Sequence, residues 1–205
     1  MKRRRTIFVH ILFLGISTHI MGQTSQQHAV RPDSVFYFKD DRDNKTYKAF
    51  VIGNTTWLAE PLRHKTSNSR CYSGIPKSCK IYGRLYTWND AITACPKGWR
   101  LPDTTQWNRL INTFGGAPNA GLFFARNDSM GFSLAFGYPP NIYGRFADEA
   151  SEMHFWASDE NGDNTVWHYY VIKDKLPSIN SSYLSKNYSL NCLCVKEEKE
   201  TSATK

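Results

Sequence analysis

The hydrophobic pattern starts with period two and turns helical near Trp88. Val35–Phe38 and Thr46–Ile52 are rich in β-branched and aromatic residues, with Asp43-Asn44 between them as turn material. Gly53-Asn54 separates Ile52 from Thr55-Thr56-Trp57-Leu58, a second hairpin signal. These runs predict an antiparallel meander. Thr87 then precedes a helical stretch, Trp88–Cys95, with Asp90 completing an approximate capping box and Pro96 and Gly98 ending the helix. Asp103 opens a second helix with Gln106 as its reciprocal partner. Trp107, Leu110, Ile111 and Phe114 recur at helical spacing as one apolar stripe, which Gly115-Gly116 stops. Short strands are predicted over Gly131–Phe136, His154–Ser158, Val166–Lys173 and Tyr188–Val195, with long loops between them. Two helices with small antiparallel sheets and long loops predict an α+β domain. No internal repeat is visible.

The ends of the chain follow other rules. Lys2, Arg3, Arg4 and Arg5 lead into the apolar run Ile7–Ile16, and a small residue, Gly22, precedes Gln23. This is the layout of a secretory signal peptide over 1–22. The apolar run is too short for the ~30 Å of a bilayer core, so no stable membrane span is expected after cleavage. Residues 23–34 are polar and aperiodic and read as a flexible leader; 196–205 read as a solvated, charged tail. The folded unit is therefore expected over 35–195.

Composition narrows the classes. With 205 residues, 40% hydrophobic and 14% aromatic, the chain suits one globular domain with a real core. The net charge of +8 invites a nucleic-acid reading. Four of the 26 Lys and Arg fall in 1–22, which leaves 22 against 18 acidic residues, a net +4 with no basic stripe. Nucleic acid is thereby excluded as the expected partner. Export also changes what five cysteines mean, because disulfides persist in oxidising compartments. Cys71 and Cys79 bracket a short loop and are expected to pair. Cys95 ends the first helix, and a bridge from it to the last strand would close a long loop worth ~4–5 kcal/mol. Cys192 and Cys194 alternate with Leu193 and share a face, so spacing leaves both open as its partner. The fifth cysteine reads as a buried apolar thiol.

Several blocks resemble a known family. Tyr47–Leu62, with its Ile52-Gly53-Asn54 centre, is similar to the opening of the Fibrobacter succinogenes major paralogous domain. Cys79–Trp88 with Ala91, then Cys95-Pro96-Lys97-Gly98-Trp99-Arg100-Leu101-Pro102 with Trp107, continue it. Phe155-Trp156-Ala157-Ser158 and Ser189–Cys192 close it. The resemblance covers about 38–195 and implies a secreted or surface protein of a Bacteroidetes-type bacterium. It also implies a Cys95–Cys192 bridge, which leaves Cys194 as the free thiol. More distantly, Trp88, Ala91, Cys95, Gly98 and Leu101 resemble the first-helix signature of C-type-lectin-like domains. That fold ties its first helix to its last strand by a disulfide and carries long binding loops on one side.

Catalytic chemistry is sparse. No phosphate loop, nucleophile elbow or zinc-type cysteine spacing appears. His154 and His168 flank a predicted hairpin, where a plain cross-strand pair accounts for them. Gly98–Pro102 resembles a block of formylglycine-generating oxidases, but their copper-binding cysteine pair has no match here, so no enzyme is expected. No cofactor is expected either, save that calcium has one candidate site. Asp159, Asn161 and Asp163 offer the hard oxygen ligands that Ca²⁺ prefers, although an ordinary Asn-Gly-Asp turn explains the same residues. The stretch Asn180–Asn191 is rich in Asn, Ser and Tyr, as binding loops are. Tyr183 and Tyr188, with Asn180 and Asn187, are the expected ligand contacts. The expectation is a non-catalytic, secreted or cell-surface binding or adhesion module, with the periplasm as a further location. Its partner would be an extracellular glycan or protein. The alternatives are an architectural surface subunit and a formylglycine-generating-type oxidase.

Overall fold

The computed structural model describes residues 32–125, 132, 152–173 and 176–197. The signal segment 1–22, most of the leader and tail, and the strand predicted over 131–136 (Phe132 apart) lie outside them. In chain order the elements are β1 (Ser34–Asp40), β2 (Lys45–Ile52), β3 (Thr55–Leu58), α1 (Pro76–Tyr82) and α2 (Trp88–Ala94). They continue with α3 (Thr104–Thr113), α4 (Ala117–Ala125), β4 (Glu152–Glu160), β5 (Thr165–Ile172), β6 (Ser178–Ser185) and β7 (Val195–Glu197). The predicted meander forms: β1 pairs with β2 and β2 with β3, all antiparallel. β7 adds to β3, giving a sheet of order β1-β2-β3-β7, while β4-β5-β6 form a second antiparallel sheet. The architecture is α+β and disulfide-stabilised. Among the described residues no helix is long and apolar enough to cross a membrane.

α3 follows its sequence signals closely. The Asp103 carboxylate accepts the Gln106 N–H at 2.7 Å, and the Gln106 side chain accepts the Asp103 N–H at 3.1 Å, a complete capping box. α2 starts at Trp88 as predicted, but Asp90 does not serve as a cap partner. Its carboxylate accepts instead from the Thr66 hydroxyl. Two further helices lack such signals in the sequence. α1 begins inside the Cys71–Cys79 loop, at Pro76, where a missing N–H costs nothing, and runs on past Cys79 to Tyr82. α4 is apolar on nearly every side and contains Gly121. A Cβ at Gly121 would land on the backbone of Ser178, so glycine here lets α4 lie directly on β6.

The core has two parts, divided by the sheets. One packs Trp107, Leu110 and Phe114 of α3 and Phe123 and Phe124 of α4 against Trp57, Phe155, Tyr169 and Val171. The other gathers Tyr47, Leu58, Leu62, Tyr86, Ala91, Leu101 and Trp156 on the far side. The segment predicted as a strand over 188–195 runs between them, extended but served by a different neighbour at nearly every step. Leu190 exchanges backbone hydrogen bonds with Tyr86, and the Cys192 and Cys194 carbonyls accept from Leu62 and Leu58. Val195 then exchanges both bonds with Arg100. It enters the sheet as β7 only from Val195 onward.

That threading decides the cysteines. Cys71 is bonded to Cys79, and Cys95 is bonded to Cys194, not to Cys192. The Arg100–Val195 pairing holds residue 194 beside the corner that follows α2, where Cys95 stands as the C-cap. Cys192, two residues back, opposes Leu62 and is fully buried among Tyr86 and its neighbours. The free thiol is therefore Cys192 rather than Cys194. Burial pushes its pKa up, as expected of an inert apolar thiol rather than a nucleophile.

A second tie joins the first hairpin to α2. Asp40 is 1% exposed and its carboxylate takes two hydrogen bonds from the Arg42 guanidinium, which also donates to the Ala94 and Cys95 carbonyls at the end of α2. Burial pushes the Asp40 carboxyl up, but the Arg42 side chain, backbone N–H and charge outweigh it and hold the pKa below its usual value. The folded state thus holds this proton less tightly than the unfolded chain. Its stabilisation is complete above the unfolded carboxyl pKa of ~3.9 and is lost as pH falls below that towards the folded value. Asp40→Asn is expected to cost about 2 kcal/mol at pH 7 in denaturant unfolding, and to flatten this acid limb.

Candidate functional site

The eight residues of β6 pair with all of β5, from Ser178 opposite Ile172 to Ser185 opposite Thr165. The first part of the predicted binding loop is therefore a strand, followed by a turn over 186–189. Strand alternation divides the expected contacts. Tyr183 stands opposite Trp167, on the face that carries Tyr169, Val171 and Phe155 into the first core part. Asn180 stands opposite Tyr170, on the other face, and its amide donates to the Ser178 hydroxyl. Asn187 is exposed in the turn, and Tyr188 packs half-buried against the second core part. The four residues do not form one cluster.

What the structure does assemble is an aromatic pair. Tyr183 is 56% exposed, and its ring meets Trp167 edge-to-face at 6.1 Å. Trp167 is half-buried against the core, so one ring is anchored and the other projects. Two residues along the same face of β5, the Tyr169 hydroxyl donates to the Asn108 side chain on α3. Asn108 belongs to a shallow groove of about 590 Å³ along α3, lined also by Thr105, Arg109, Asn112 and Thr113. Amides, hydroxyls and a guanidinium thus line a groove that Tyr169, two residues from Trp167 on the same face of β5, joins to the second sheet. Trp167 escapes a reading of the sequence because a half-buried strand tryptophan looks like core; only its register with Tyr183 reveals it.

Of the calcium candidates, Asp159 has its carboxylate committed elsewhere, while Asn161 and Asp163 are held through their backbones. The Asp159 carboxylate accepts the Thr104 N–H at the first turn of α3. Asn161 pairs with Thr165 within the hairpin turn, and the Lys186 ammonium binds Glu160 at 2.8 Å and reaches the Asp163 carbonyl. Among the described residues, the one trio of acidic, His or Cys groups with ligand atoms close together is Asp40, Asp43 and His64. Arg42 and Lys45 already neutralise those carboxylates.

On the opposite face of the second sheet, His154 and His168 do approach each other across β4 and β5. Their rings stack at 5.3 Å, with Tyr170 stacked 5.2 Å from His154. His154 Nε2 lies 3.2 Å from the Glu152 carboxylate. His168 is 4% exposed; burial, then the nearby His154, push its pKa down to about 4, so it is neutral at physiological pH.

The Fibrobacter succinogenes major domain model matches residues 42–196, and the chain belongs to this family. No curated protein and no solved structure matches the chain.

Proposed function

We propose, from membership of this family, that the chain is a non-catalytic module of the bacterial surface or exterior that binds an extracellular glycan through Tyr183, Trp167 and the adjoining α3 groove. The observation that carries the reading is the exposed Tyr183 ring braced edge-to-face by Trp167 on a fully paired strand. Rigid aromatic rings supply large contact area at small entropic cost, and sugar rings present C–H faces to them. The neighbouring Asn108, Arg109 and Asn112 are the hydrogen-bonding side chains that sugar hydroxyls need. Two disulfides fit an oxidising exterior compartment, in line with the signal segment read from the sequence. The helix-to-final-strand link Cys95–Cys194 supports a C-type-lectin-like arrangement. The buried Cys192, with its raised pKa, supports the absence of oxidase chemistry.

A glycan array probed with the full chain, beside a panel of extracellular matrix proteins, tests the reading. Tyr183→Ala is expected to weaken binding at least tenfold, as loss of a central aromatic anchor does. Asn187→Ala, on the turn, should leave affinity unchanged, and EDTA should too because Asp159 already serves α3. Glycan binding indifferent to Tyr183→Ala would refute the site, and binding to matrix proteins alone would refute the ligand class. An architectural subunit is the second reading, favoured by β1. This edge strand exposes Val35, Phe36 and Tyr37, the last at 74%. Concentration-dependent self-association in sedimentation, with an empty array, would put that reading first.

A further inference from the structure

His154 and His168 occupy the opposite face of the second sheet from Tyr183, so a role for this pair is independent of the glycan reading. In both rings Nδ1 is buried and has no hydrogen-bond partner among the described residues. His154 Nε2 faces the Glu152 carboxylate at 3.2 Å, and His168 stands directly opposite Ser182 across β5 and β6. A neutral imidazole that carries its proton on the outer nitrogen presents the inner one as a bare lone pair. Two such lone pairs sit on rings stacked at 5.3 Å, and one belongs to a side chain 4% exposed. Burying an unpaired acceptor costs about 1–3 kcal/mol, and two side by side call for a shared partner that is electron-poor. An imidazole whose second nitrogen is fixed by a carboxylate or a backbone carbonyl is also the usual state of a metal-bound histidine.

We propose that His154 Nδ1 and His168 Nδ1 bind one borderline divalent transition-metal ion, zinc or copper(II), with Glu152 as the orienting partner of His154. Imidazole is the ligand type that suits these ions, and calcium or magnesium would find no oxygen ligands among the two donors. Metal–nitrogen distances of ~2.0–2.1 Å need the two Nδ1 atoms only a few ångströms apart, on rings whose centroids stand 5.3 Å apart. Water completes the coordination. Binding adds a bond between strands β4 and β5 that are already paired, so it stiffens the sheet without rearranging it.

The test uses the full chain without a polyhistidine tag, titrated calorimetrically with ZnCl₂ and CuCl₂. The expected result is one saturable site per chain, weakened at least tenfold in His154→Gln and in His168→Gln and retained in His64→Gln. His154 lies at the margin of the core, so His154→Gln keeps the test valid if His168→Gln fails to fold. Added zinc should also raise the melting temperature of the parent chain and not that of His154→Gln, because only the folded state holds both rings together. In the Cu²⁺ complex, electron paramagnetic resonance should show hyperfine coupling to two imidazole nitrogens. No saturable site, or a site unaffected by either substitution, would overturn the proposal; the first outcome would assign the lone pairs to a shared water.

Discussion

Cys95→Ala is expected to destabilise the protein by about 4–5 kcal/mol, whereas Cys192→Ala costs only about 1 kcal/mol. The Cys95–Cys194 bond spans 99 residues of sequence, and a cross-link of that length removes most conformational freedom from the unfolded chain. It also fastens the end of α2 to the segment that threads both core parts, so its loss frees two elements at once. Cys192 forms no bond, and replacing it removes one buried sulfur from an apolar site. Denaturant unfolding under non-reducing conditions measures both. Equal losses at Cys95 and Cys192, with Cys194→Ala harmless, would reverse the pairing.

Trp107→Ala is expected to cost about 3–5 kcal/mol, or roughly 10 °C in melting temperature for a chain of this size. Its ring, fully buried on α3, stacks on Tyr169 at 4.8 Å and meets Trp57 at 5.2 Å. Phe124 and Phe155 complete the contact, each at 6.0 Å. One side chain therefore joins β3 of the first sheet, β4 and β5 of the second, and α4. Its indole N–H has no partner among the described residues, so Trp107→Phe keeps an aromatic ring without that orphan donor and should recover more than half the loss. Differential scanning calorimetry distinguishes the two. An alanine variant that melts with the parent would mean that the sheets hold together without this hub. Because Tyr169 also positions Asn108 of the groove, the alanine variant should loosen the candidate site as well as the core.

How far the sequence reveals the structure depends on how local each signal is. The first two hairpins and α3 carry turn residues, caps and a clean period, and they form where those residues place them. α4 is illegible because it is apolar all round and broken by Gly121. It is helical because β6 offers a surface on which a bare backbone can lie. β6 reads as a loop because Asn, Ser and Tyr are common in loops, and only eight consecutive pairings with β5 make it a strand. The same strand then sends Tyr183 and Asn180 to opposite faces, a division that composition cannot express. The choice between Cys192 and Cys194 likewise rests on register, which Arg100 and Val195 set from far apart in sequence. Of the candidate site, Tyr183 is visible as an aromatic in a polar stretch, while Trp167 requires its cross-strand partner to be known.

The central claim is that ligand binds at the Tyr183–Trp167 pair. Nitrogen-15 labelling of tryptophan gives one indole signal for each of the six tryptophans, and Trp167→Phe assigns the signal that matters. Titrating a glycan from the array into the labelled chain should shift the Trp167 indole first and most, leave those of the buried Trp57, Trp107 and Trp156 in place, and produce no shift in Tyr183→Ala. A saturable shift centred on any other tryptophan, or glycan binding that leaves the Trp167 signal unmoved, would contradict the account.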